Sequence, residues 1–83
     1  MIKEHEEAVL TRDLPEEGLE AGDVGTVVAV HEDESGEAAG YTLEVFGLAG
    51  ETLAIVTVAA SAVREVHGGE VIHARELRKE AAG

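Results

Sequence analysis

Four histidines, two serines and eighteen carboxylates are the side chains of this chain that could do chemistry, and their spacing decides which chemistry is open to them. His5, His31, His67 and His73 form no His-x-His or His-x-x-x-His pair, so no zinc set can be read from them. Ser35 and Ser61 lie in no nucleophile elbow, and there is no cysteine to supply a thiolate nucleophile, a thiolate ligand or a disulfide. The segment "HEDESGE", residues 31–37, gathers oxygen ligands a hard cation would accept. It does not bring alternate-position ligands, a sixth-position glycine and a twelfth-position glutamate into the one register of a calcium loop, so it reads as a solvated turn. "GLEAG" and "GLAG" carry glycines without the Lys-Ser/Thr of a phosphate loop. No catalytic residue, no metal ligand and no cofactor site is expected, and the chain is expected not to be an enzyme.

What remains is charge. Six basic residues face eighteen acidic ones, for a net charge of −12 on 83 residues. Residues 61–83 balance, with Glu65, Glu70, Glu76 and Glu80 against Arg64, Arg75, Arg78 and Lys79, so the whole excess belongs to residues 1–60. A nucleic-acid backbone is bound by basic side chains that release its counterions, and this chain offers the opposite sign. A basic protein is the partner such a field attracts. Glu16, Glu17, Glu20 and Asp23, in the stretch between "VLTRDL" and "GTVVAV", are the candidate contacts, with Asp23 also placed to bond nearby turn amides.

Strands must position that stretch. "EAVLTRDL" alternates and stops at Pro15, which predicts a first strand ending near Leu14. "VGTVVAV" puts Val24, Thr26, Val28 and Val30 on one face and Val27 and Ala29 on the other. "YTLEVFGL" sets Tyr41, Leu43 and Val45 against Thr42, Glu44 and Phe46, and "ETLAIVTVAA" comes after the turn at Ala49 and Gly50. "SAVREV" predicts a corner and a fifth strand. The Gly68-Gly69 pair then predicts a hairpin with Val66 opposite Val71, a strand to about Ala74, and a helical or frayed tail. The expectation is one all-β domain: a small SH3-like five-stranded barrel over residues 1–66 with a strand and helix extension over 67–83.

The run "VLTRDLPEEGLEAGDVGTVVAV", with the later "YTLEVFGLAGETLAIVTVAASAVREV", resembles a family of small bacterial proteins of unknown function that carry a Leu-Pro then Gly-Asp-x-Gly-Thr-Val signature, over roughly residues 7–66. The resemblance implies an SH3-like fold. "LEAGDVGTVVAV" is also similar to the loop-and-strand motifs of small ribosomal and transcription-protein barrels, but Glu16, Glu17, Glu20 and Asp23 stand where those barrels use basic residues. Fold transfers on such a likeness and function does not. Some members of such families are encoded beside toxin-like proteins, which implies an antitoxin- or immunity-like role.

Two functions are therefore expected in competition: a binding module with an acidic surface for a basic protein, and a subunit that self-assembles. The second rests on "TLAIVTVAA", where Leu53 and Ile55 share one face and Ala54, Val56 and Val58 the other, so both faces ask for cover. Ala54, Val56 and Val58, with Val71, Ile72 and Leu77 of the tail, are the candidate interface of a homodimer. No signal-peptide h-region and no apolar run of membrane-spanning length is present, so a cytoplasmic protein without a membrane partner is expected.

Overall fold

The computed structural model describes residues 1–77. Five antiparallel strands form a single sheet: β1 (Glu7–Leu10), β2 (Val24–Glu32), β3 (Ala38–Phe46), β4 (Thr52–Ala59) and β5 (Val63–Glu65). Two 3-10 turns, Pro15–Glu17 and Ala60–Ala62, complete the elements, and there is no α-helix among the described residues. The spatial order is β4-β3-β2-β1-β5, so β2, β3 and β4 form a meander and the chain then returns to lay β5 beside β1. The fold is the all-β, five-stranded one expected, with a small-barrel-like curl around a single core.

Alternation explains which side chains fill that core. Tyr41, Leu43 and Val45 of β3 and Ala54, Val56 and Val58 of β4 are buried in it, with Ala8, Leu10, Leu19, Val27 and Val63. Each fully buried aliphatic contributes about 1.5–3 kcal/mol. The Tyr41 hydroxyl accepts a hydrogen bond from the Ile2 amide at 3.1 Å, which fastens the N-terminal segment under the barrel. Gly40 is demanded by the sheet itself: a Cβ there would stand 2.7 Å from the Val58 carbonyl oxygen.

Three register shifts break the strict alternation, one of them where His31 pairs with Gly40 and Glu32 with Ala38, leaving Ala39 as the extra residue of β3. On β2, Val27 pairs with Leu43 but Ala29 pairs with Thr42, so Val28 is the extra residue and its side chain stays exposed. The bulge reverses the phase, and Val30, which simple alternation sets opposite Val27, packs against the same core. On β4, Val45 pairs with Ala54 while Phe46 pairs with Thr52, leaving Leu53 as the extra residue.

Two expectations are corrected. β1 ends at Leu10 rather than near Leu14, because the next backbone groups bond elsewhere: the Thr11 amide donates to the Ala62 carbonyl at 2.8 Å and the Gly22 amide to the Leu10 carbonyl at 2.8 Å. The C-terminal hairpin strand does not form. The chain turns at Gly68-Gly69, with Gly69 at φ 86°, but residues 70–77 are neither strand nor helix and Val71 is 91% exposed. Glu70 takes the place of a ladder partner: its carboxylate accepts both Arg64 guanidinium nitrogens, at 2.9 and 2.7 Å, and the His67 amide. The remainder of the expected helical or frayed tail, residues 78–83, lies outside the described residues.

Candidate protein-interaction site

The acidic stretch between β1 and β2 is a built loop. The Leu14 and Leu19 backbones exchange hydrogen bonds of 2.8 and 3.1 Å, clipping the 3-10 turn into a tip. Pro15 opens that turn with its φ already set, and Gly18 closes it in the left-handed region at φ 72°. Leu19 is driven into the core, which anchors the tip to the barrel. Asp13 Oδ1 accepts the Ala21 amide at 2.9 Å, and Asp23 Oδ2 accepts the Glu20 amide at 2.7 Å. The turn-capping role expected of Asp23 is therefore present. With Leu19 buried beneath it, the loop holds Glu16 and Glu20 in solvent and Glu17 half-exposed.

Asp23 differs from the three glutamates, because the tail already holds it. The Arg75 guanidinium donates to Asp23 through Nε at 3.1 Å and through Nη2, which also reaches the Gly18 carbonyl at 2.9 Å. Arg75 Nη1 stands 3.8 Å from Glu20 Oε2. The bond to Asp23 pushes the guanidinium still further toward its charged form. Two residues on, Leu77 packs half-buried against the core. Arg75 and Leu77 thus anchor the segment after Glu70, and between the tail and the barrel lies a cleft of about 190 Å³, bounded by Asp23, Val24, Thr26, Glu44 and Phe46.

The candidate interface residues of β4 fall on the other side of the sheet from that expected. Ala54, Val56 and Val58 are buried in the chain's own core, since β3 offers them Tyr41, Leu43 and Val45. The apolar side chains left outside are Leu53 and Ile55, with Val28, Phe46 and Leu48 nearby in the meander; Ile55 is 62% exposed. Of the three tail residues expected there, Leu77 covers core, while Val71 and Ile72 remain exposed. Polar bonds interrupt this outer face: His31 Nε2 lies 2.7 Å from Thr42 Oγ1, Thr42 Oγ1 lies 2.9 Å from Thr57 Oγ1, and Thr52 donates to Glu44.

The 31–37 loop spends its carboxylate on itself. Asp33 Oδ1 accepts the Ser35 hydroxyl at 2.6 Å and the amides of Ser35 and Glu37 at 2.8 and 3.1 Å, and these bonds, the hydroxyl's first, hold its pKa below the ordinary carboxylate value. Among the described residues no group of three or more histidines and carboxylates is placed to hold a metal ion.

Sequence reasoning missed Arg75 and the Gly18 carbonyl. No local signal marked Arg75, since Arg12 with Leu14 and Arg64 with Val66 show the same spacing. The partner of Arg75 lies 52 residues away, a distance no local pattern spans. A family model described as a domain of unknown function (DUF4926) matches residues 4–65, which hold all five strands of the sheet. No curated protein and no solved structure matches the chain.

Proposed function

From a chain that belongs to the DUF4926 family, whose function must be argued from its own surface, we propose a protein-binding module that docks a basic protein on the loop carrying Glu16, Glu17 and Glu20. The observation that carries this reading is the hydrogen-bonded backbone that presents those residues, on a tip clipped to the core, with no Lys or Arg within salt-bridge reach of Glu16 or Glu17 among the described residues. Scattered surface acids serve solubility equally well; acids grouped on one held backbone turn give a partner a defined register and a steered approach. The module is non-enzymatic in this reading, needs no cofactor, and acts in the cytoplasm as an antitoxin- or immunity-like partner. The strand order, with its 3-10 turn before the returning β5, supports the SH3-like barrel as its scaffold. No helix of the described residues is long and apolar enough to cross a membrane.

Affinity capture from the source cell tests the proposal, using the wild-type chain and the triple variant Glu16→Lys, Glu17→Lys, Glu20→Lys. A stoichiometric basic protein, released by high salt and absent from the variant, is the expected result. Equal capture by both chains would remove the loop from the interface.

A second reading, a self-assembling subunit, is favoured by one observation: Leu53 and Ile55 stand exposed on β4, an edge strand with an unpaired side. A homodimer joined there would sediment at twice the chain mass at micromolar concentration, and a single 8.7 kDa species would exclude it.

A further inference from the structure

The tail does more than end the chain. Residues 70–77 leave the Gly68-Gly69 turn without strand or helix, yet Glu70 at their root and Arg75 and Leu77 further on are seated with definite partners. Arg75 presents its planar fork to the Asp23 carboxylate and a third hydrogen bond to the Gly18 carbonyl, and Leu77 enters the apolar edge of the core beside it. Bidentate arginine–carboxylate geometry is directional recognition, unlike the diffuse attraction of an acidic surface. The cleft beside it matches in charge. Glu7 and Glu44 line it with Asp23, neither has a basic partner among the described residues, and Arg75 is the one Lys or Arg among the described lining residues.

Val71 and Ile72 offer little to hold the tail there. Both are exposed, and β5 ends at Glu65 without pairing to the tail. The segment is therefore fixed at its two ends: by the Arg64–Glu70 pair at its root and by Arg75 with Leu77 at its seat. Ion pairs this open to solvent are weak, so a competing segment has little to displace.

We propose that the seat formed by Asp23, the Gly18 carbonyl and the wall of the adjoining cleft is a receptor for an extended protein segment carrying an arginine with an aliphatic residue two positions on, and that the chain's own Arg75–Leu77 holds that seat until a partner with the same pattern displaces it. This rests on the reading of a basic protein partner and names the element recognised. Asp23 and the Gly18 carbonyl favour arginine, whose planar fork meets both carboxylate oxygens through two nitrogens while reaching the carbonyl, where lysine brings one nitrogen. The shallow apolar edge where Leu77 sits selects the second residue. The tail then acts as an internal competitor that lowers the apparent affinity by the fraction of time the cleft is open.

The test uses the full-length chain and a capped synthetic peptide of residues 70–77, EVIHAREL, titrated while the backbone amides of residues 18–25 are monitored by NMR. The peptide should bind the Arg75→Ala chain a few-fold tighter than the wild type, up to about fivefold, since the resident arginine no longer competes. Binding should vanish when the peptide's arginine is replaced by alanine, and again in a chain carrying Arg75→Ala with Asp23→Asn. The Leu77→Ala chain, which keeps Arg75, serves as a second opened form and should gain less. Equal affinity for wild type and Arg75→Ala, no binding to Arg75→Ala, or binding that survives loss of Asp23 would each overturn the proposal. A failed titration alongside a salt-sensitive partner captured through Glu16, Glu17 and Glu20 would remove the cleft as receptor and leave the docking loop standing. Absence of that captured partner would remove the docking reading instead.

Discussion

The barrel and its tail are held by different means. In the barrel, every strand is laddered to a neighbour and its inward residues meet those of the facing strands, so removing one contact leaves many. In the tail, Arg75 and Leu77 anchor the segment after Glu70. The same distinction divides the acidic loop. Its tip, with Glu16 and Glu17, has no described basic neighbour, whereas its base, at Asp23, is closed by the tail. Cooperative packing secures a fold, while a seat with two anchors allows exchange.

Substitutions should expose that contrast in order of size. Leu43→Ala opens a cavity at the centre of the sheet, where the side chain is fully buried, and should cost about 2–5 kcal/mol in urea denaturation read by circular dichroism. Gly40→Ala forces a Cβ against the Val58 carbonyl oxygen, so β3 and β4 must separate locally; a loss of about 1–3 kcal/mol is expected by the same measurement. Leu77→Ala removes a half-buried side chain at the margin of the core and should cost under about 1.5 kcal/mol. Arg75→Ala should move global stability by no more than about 1 kcal/mol. A large loss on Arg75→Ala would erase the distinction between body and tail.

The turn at the root of the tail should answer to pH. Glu70 is held down to about 2 from an ordinary 4.5, first by the hydrogen bonds from Arg64 and then by the His67 amide. A depressed carboxylate stabilises where it is ionised in both states, above its unfolded value, and that contribution is lost as protons return. The Arg64–Glu70 contact should therefore be intact at neutral pH and released between about pH 4.5 and 2, read from the chemical shifts of Glu70 and the His67 amide. Release near neutrality would contradict the pairing.

The body of this architecture was legible in the sequence because a half-buried strand writes its faces in alternate residues. Tyr41, Leu43 and Val45 point inward as that period requires, and β2, β3 and β4 stand close to where it puts them. The bulges at Val28 and Leu53 were not legible, since an extra residue in one strand is defined only by its partner, and so Val30 came to the core against the simple pattern. The face of β4 that turns inward could not be chosen from "TLAIVTVAA", where both sides are apolar; β3 decides it. The Gly-Gly hairpin was misread because the turn chemistry is present but Glu70 bonds Arg64 and His67 in place of a ladder. Of the acidic candidates, Asp23 was marked as a turn cap, yet its bond to Arg75 depends on folding.

Amide chemical shifts of the wild-type and Arg75→Ala chains, compared residue by residue at neutral pH, test the seating of the tail on the acidic loop most directly. Changes confined to Gly18–Val24 and the tail, with the amides of β3 and β4 unmoved, are the expected result. Unchanged amides at Gly18, Glu20 and Asp23 would contradict it.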